Sequence, residues 1–236
     1  MMMEDTGNYL RLSGVLIEAP TYGHEVFGEK FYYATLSVPR LSGTEDLLPI
    51  TLSERLIDHT TLEAGSPLSI EGQLRSYNKV IEGAGRLLIT GFAQHLMPLD
   101  DGENPNQVLL TGALCKPPSY RTTPFGREIA DLMLAVNRAY GKSDYIPCIT
   151  WGRTARFASH LKVGDRVQLQ GRFQSRAYQK QLADGTVIGK MAYEVSVGRL
   201  SMAGEQPAQE HAAHHEYADE VAQELSALTA AQPPVQ

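Results

Sequence analysis

Cysteine is scarce in this chain, with only Cys115 and Cys148 among 236 residues. Two thiols in apolar, strand-like runs cannot make a zinc site alone and are expected to be reduced core residues. Tryptophan is rarer still, because Trp151 is the only one. No apolar run is long enough to span a bilayer. The opening MMMEDTGNYL has no basic segment followed by an apolar one, so no secretory leader is expected and the location reads as cytoplasmic. Catalytic signatures are missing as well: there is no Gly-rich phosphate loop, no HExxH, no nucleophile elbow and no paired-cysteine site. Asp144 and Asp165 fall in turn-like positions, and His211, His214 and His215 lack the carboxylates or cysteines that would complete a metal site. The expectation is a binding protein, not an enzyme, with no cofactor and no metal.

Basic residues are missing from one region in particular. Residues 201–236 contain no Lys or Arg and 6 Asp and Glu. Residues 1–103 hold 7 basic and 15 acidic side chains, a net of -8, whereas residues 104–200 hold 14 and 6, a net of +8. The formal charge of -6 therefore hides one basic region between two acidic ones, the asymmetry expected when only one part of a chain meets a polyanion.

The chain repeats itself. A shift of 98 superimposes Asn8, Leu12, Gly14, Leu16, Pro20 and Tyr22 on Asn106, Leu110, Gly112, Leu114, Pro118 and Tyr120. The same shift carries Phe27, Gly28, Leu36, Val38, Arg40 and Asp46 onto Phe125, Gly126, Leu134, Val136, Arg138 and Asp144. One further residue aligns Gly72 and Ser76 with Gly171 and Ser175. Two copies of one domain follow. The first spans 1–97 and is acidic and divergent. A Pro/Gly/acid linker occupies 98–105, and the second, basic copy spans 106–201. Residues 202–236 form a tail of Ala, Gln, Glu and Pro that is expected to be disordered, apart from a short amphipathic helix over 216–228.

Strands are expected at Tyr9–Glu18, Phe31–Pro39, Leu47–Leu52, Leu68–Tyr77 and Arg86–Leu96. Their counterparts are Gln107–Lys116, Ile129–Asn137, Tyr145–Trp151, Arg166–Tyr178 and Lys190–Leu200. A helix follows the third strand of each set, near Glu54–Leu62 and Arg153–Leu161. A mainly β chain with that order reads as two tandem OB-folds, five-stranded barrels with one short helix each, followed by the tail.

The stretch YIPCITWGRTARF, Tyr145–Phe157, ends a strand in Trp151 beside Arg153 and Arg156. A ring next to a guanidinium suits a nucleobase next to its phosphate. On the following strand Val167, Leu169, Gly171 and Phe173 alternate with Arg172, Gln174 and Arg176, and Tyr178 shares the parity of the arginines. Period two sends one set inward and offers the other to a ligand. In the first copy Ser53, Leu47 and Lys79 replace Trp151, Tyr145 and Tyr178. That copy is expected to bind nucleic acid weakly or not at all, with its Phe31–Tyr33 run serving as strand core.

The second copy resembles the OB domain of bacterial single-stranded DNA-binding proteins. The resemblance rests on NQVLLTGAL (Asn106–Leu114), PSYRTTPFG (Pro118–Gly126), LAVNR (Leu134–Arg138), DYIPCITWG (Asp144–Gly152), VGDRVQLQGRFQSRAY (Val163–Tyr178) and YEVSV (Tyr193–Val197). It implies binding of single-stranded DNA with little sequence preference during replication, recombination or repair. Tyr145, Trp151 and Tyr178, joined by Tyr140 in a loop, would stack bases, and Arg121, Arg138, Arg153, Arg172 and Arg176 would follow the phosphates. The tandem form implies a homodimer of four OB-folds associated with the nucleoid. Replication or repair proteins would be met through the tail, although this tail ends QPPVQ where the family closes an acidic tip with Pro-Phe. Two other roles remain open, a primosome-like OB scaffold of replication restart and an RNA-binding OB protein.

Overall fold

The computed structural model describes residues 7–57, 62–81, 84–97, 106–138, 141–181 and 185–204. The linker at 98–105, Tyr140 and the tail from 205 onward, with its expected helix over 216–228 and its histidines, lie outside the described residues.

Each copy is a closed barrel. In the first, β1 (Asn8–Leu16), β3 (Glu29–Pro39), β4 (Glu45–Ser53), β5 (Pro67–Ile81) and β6 (Ala84–Met97) surround a core of leucines, isoleucines and valines. The sheet runs β3–β4–β6–β5–β1, and β1 closes it through Val15↔Ser37 and Leu16↔Leu36. All neighbours are antiparallel except β4 and β6. The second copy repeats this with β7 (Asn106–Leu114), β9 (Glu128–Asn137), β10 (Ser143–Trp151), β11 (Arg166–Gln181) and β12 (Val187–Met202). Two tandem OB-folds are thus observed.

The structure also adds elements. Thr21–Val26 and Ser119–Thr122, which are not among the expected strands, form edge strands β2 and β8 on β3 and β9. Both are almost wholly exposed, so they carry no inward apolar set for periodicity to detect. The β5–β6 and β11–β12 hairpins extend further than expected, with Ile81 paired to Ala84 and Gln181 to Val187. Among the described residues the helices are α1 (Glu54–Ile57) and α2 (Gly152–Ser159). Residues Ala155 and Ala158 of α2 are buried against the barrel. Cys148 is buried in the core, and burial pushes its thiol pKa up; Cys115 is half-buried. No helix among the described residues is long and apolar enough to cross a membrane.

The repeated asparagines and glycines have a structural reason. A bulge interrupts β5 at Glu71/Gly72 and β11 at Gln170/Gly171. Just beyond it, Asn8 accepts from the Leu74 amide at 2.9 Å and donates to its carbonyl at 2.8 Å. Asn106 does the same for Phe173, at 2.8 and 2.6 Å. A buried carboxamide thereby takes the place of a missing ladder partner. A Cβ on Gly171 would sit 2.2 Å from the Ser196 carbonyl oxygen, and one on Gly72 1.9 Å from that of Phe92. Gly171→Ala is expected to cost about 1–3 kcal/mol and lower the melting temperature by about 2–4 °C per kcal/mol. Gly189→Ala, where nothing lies within 4 Å, is the control. Equal melting curves for the two variants would refute the close-approach argument.

The two barrels form one continuous sheet. β1 pairs antiparallel with β7 in a register that sets Leu10 opposite its repeat counterpart Val108. That register places a pseudo-twofold axis at the junction, and a pair of ionic latches obeys it. Asp46, fully buried, receives Arg40 of its own barrel at 2.8 and 2.6 Å and the backbone amide of Ser175 from the other barrel at 2.7 Å. Asp144, also fully buried, receives Arg138 and, at 2.7 Å, the amide of Ser76. Arg75 adds a further bond to Asp144 at 3.1 Å.

Candidate nucleic-acid interface

β10 alternates over most of its length. Asp144, Ile146, Cys148 and Thr150 face the core, and Tyr145, Pro147 and Trp151 take the outward parity with at least part of each side chain exposed, whereas Ile149 shares that parity but is buried. Tyr145 is 45% exposed, and Trp151 is half-buried at the strand end, in the N-cap position of α2. β12 lies beside β10 with Ile149 opposite Ser196, and Ser196 is opposite Arg172 on β11. Arg176 and Tyr178 follow on the outward parity, opposite Ala192 and Lys190. The register therefore gathers Tyr145, Trp151, Arg172, Arg176 and Tyr178 on one outer face of the second barrel. The Arg176 guanidinium lies over the Tyr178 ring at 5.8 Å, which holds that ring in place.

Several of the arginines are held by carboxylates. Arg176 donates to Glu194 at 3.0 and 3.3 Å, and those bonds raise its pKa against the opposing effect of burial. Arg121 on β8 is paired with Asp131, and Arg156 on α2 donates to Glu128 at 2.5 Å. Arg153 is exposed in the first turn of α2 and Arg172 is half-buried on β11. Arg138, expected to follow phosphates, is paired with the buried Asp144 in the latch and keeps 30% of its side-chain exposure. Burial works to raise the Asp144 pKa, but the Arg138 hydrogen bond, the Ser76 amide and Arg75 outweigh it and hold the carboxyl below its ordinary value.

The first barrel differs from expectation too. Phe31 and Tyr33 are outward-facing on β3, and neither is among the buried core residues. Phe31 packs against Phe92 at 5.8 Å and stacks on His24 at 5.2 Å, and the Arg75 guanidinium lies 5.7 Å over Phe92. Tyr33 and Tyr77, 36% and 40% exposed, border an open pocket of about 160 Å³ with Pro49, Thr90 and Glu18. Sequence reasoning missed this surface because a run of three aromatics resembles a buried strand. The alternation of a half-exposed strand was the available signal, since Phe31 and Tyr33 share a face and Tyr32 does not. Among the described residues no group of three or more His, Cys, Asp or Glu could hold a metal ion.

Comparison with known proteins concentrates on the second barrel. A model of the single-strand binding protein family matches residues 105–203. Single-stranded DNA-binding protein A of Bacillus subtilis (strain 168) is 41% identical over 96 residues, which are 38% of this chain and 56% of the relative. Single-stranded DNA-binding protein B of the same organism is 37% identical over 83 residues, 32% of this chain and 74% of the relative. For the first of these, the chain spans about half of the relative's length. The likeness to solved structures takes in both barrels. The wild-type single-stranded DNA binding protein from Thermus aquaticus superimposes with a TM-score of 0.62 at 25% identity, covering 86% of this chain and 96% of that one.

Proposed function

The chain belongs to the single-strand binding protein family, and on that premise we propose that it binds single-stranded DNA without catalysis, protecting it during replication, recombination or repair. The observation that carries this reading is the outer face of the second barrel, where Tyr145, Trp151 and Tyr178 share one surface with Arg172 and Arg176. Bases stack on the three rings. Phosphates meet Arg121, Arg153, Arg172 and Arg176, each of which exchanges part of its present contacts for the strand. No array of side-chain donors and acceptors dedicated to base edges is required, so sequence preference is slight. The first barrel contributes a second surface through Phe31, Phe92, Tyr33 and Tyr77. Two chains assemble as a homodimer with four barrels at the nucleoid, and the acidic tail meets replication or repair proteins.

The test is a titration with dye-labelled oligo-dT, read by anisotropy and by Trp151 fluorescence at two salt concentrations. Binding is expected to quench the single tryptophan and to weaken with salt, with a slope of about -0.7 per phosphate neutralised. Trp151→Ala is expected to lose about 1–3 kcal/mol of affinity. No binding at low salt would replace this reading with the OB scaffold. Tighter binding of oligo-U than of oligo-dT would replace it with an RNA-binding role.

A further inference from the structure

Two phenylalanines are used by neither the cores nor the barrel faces. Phe27 and Phe125 occupy the tips of the β2–β3 and β8–β9 hairpins, and they are equivalent positions of the repeat. Phe27 is 106% exposed and Phe125 64% exposed. Turn geometry does not call for either ring. Phe27 and Gly28 form a two-residue loop with φ of 51° and 82°, a type I′ arrangement that favours Asn or Gly. Phe27 is the only non-glycine with positive φ among the described residues. The second tip is built differently. The Gly126 amide donates to the Thr123 carbonyl at 2.9 Å, that of Thr123 to Arg127 at 2.7 Å, and Gly126 has φ 78°. Two unlike turns thus present the same outward ring, one of them in an unfavourable backbone conformation. Such breaches of local preference concentrate at functional positions.

The surroundings say what the rings meet. Phe125, in the turn, lies four residues before Ile129 of β9, which pairs with Trp151 on one side and Arg121 on the other. Four fully extended residues would span about 13 Å and the turn shortens that, so the tip lies within about 13 Å of the tryptophan's row, a gap the next few nucleotides of a bound strand would cover. Arg121 and Arg127 lie on that hairpin and Arg153 and Arg156 on the adjoining α2; Asp131 pairs with Arg121 and Glu128 with Arg156, and the charge that remains is positive, suiting a polyanion. On the first barrel Phe27 stands four residues before Phe31, whose ring stacks on His24. Both tips therefore continue an aromatic face outward.

We propose that Phe27 and Phe125 are nucleobase contacts that extend the bound single strand beyond the two barrel faces. This rests on the single-strand-binding reading above. The full chain, with Phe27→Asn, Phe125→Asn and the double variant, would be titrated with an oligo-dT ladder of increasing length. Each substitution is expected to weaken binding about fivefold, the low end for one stacked base, on long oligonucleotides only. Short ones that fill a barrel face would bind as in wild type. Phe27→Asn is expected to melt no lower than wild type, because Asn accepts the left-handed turn, which separates lost contact from lost fold. Wild-type affinity at every length in the double variant overturns the tip assignment alone. A changed oligomeric mass with unchanged affinities also overturns it, in favour of a contact between copies. A wild-type chain that binds no oligonucleotide overturns both this inference and the reading beneath it.

Discussion

Asp144→Ala is expected to destabilise the chain by about 3 kcal/mol, the low end for breaking a buried ion pair. The carboxylate is fully buried, and its removal leaves Arg138, Arg75 and the Ser76 amide without an acceptor. The low end applies because the Arg138 and Arg75 side chains retain 30% and 21% of their exposure and can partly turn to water. Arg138→Ala should cost less, since Arg75 and Ser76 still hold the carboxylate. If Arg138 instead followed phosphates, its replacement would leave stability unchanged and lower DNA affinity. Urea unfolding of the DNA-free chain separates the two outcomes, and a loss under about 0.5 kcal/mol in Asp144→Ala would remove the latch from the stability of the junction. The pH dependence has a defined sign. The folded Asp144 pKa lies below its ordinary value. Its contribution is therefore complete above about pH 4, the ordinary carboxyl range, and is lost as pH falls through the folded pKa. Wild type should lose stability in acid more steeply than Asp144→Asn.

The latch also marks where the sequence stops being legible. The repeat brings Arg40 and Asp46 onto Arg138 and Asp144, so the pairs are visible as recurring letters. Their use depends on Ser175 and Ser76, which reach Asp46 and Asp144 from the other barrel across separations of 129 and 68 residues. No local period encodes a contact of that range. Barrel order, by contrast, is written in short alternating runs, and the ten expected strands all form. The outward parity of Tyr145, Trp151, Arg172, Arg176 and Tyr178 follows from alternation, although the bulge at Gln170/Gly171 shifts the register next to it. Gln174 shows the limit of that rule. It is outward by parity yet only 7% exposed, because Glu194 and its hydrogen bond at 3.1 Å cover it. The outer face of the first barrel was obscured for another reason, because its rings are Phe31, Tyr33 and Phe92 in positions other than those of Trp151 and Tyr178.

Removing all three rings of the second barrel is expected to have the largest effect on binding. Tyr145→Ala, Trp151→Ala and Tyr178→Ala together should weaken oligo-dT binding by at least about a hundredfold, since each stacked base is worth about 1–3 kcal/mol. Tyr145 and Tyr178 are 45% and 38% exposed, so their loss costs little core packing. Trp151 is the exception, being half-buried at the start of α2, and a melting curve must accompany the affinity. The rings are neutral, so the salt slope should stay close to wild type while the intercept falls. Arg153 and Arg172 should behave in the opposite way, each replacement flattening the slope by about 0.7. One coupling complicates the sum. Arg176 lies over Tyr178, so losing that ring also frees a guanidinium, and the triple loss should fall short of the three single losses added together. The binding that remains would come from the first barrel, where Phe31, Phe92, Tyr33 and Tyr77 lie beside an Arg75 already shared with Asp144. It should therefore be weak and show a shallow salt slope. A triple variant that keeps its fold and binds within about threefold of wild type would move the stacking surface off the second barrel, because losing even one stacked base should cost about fivefold.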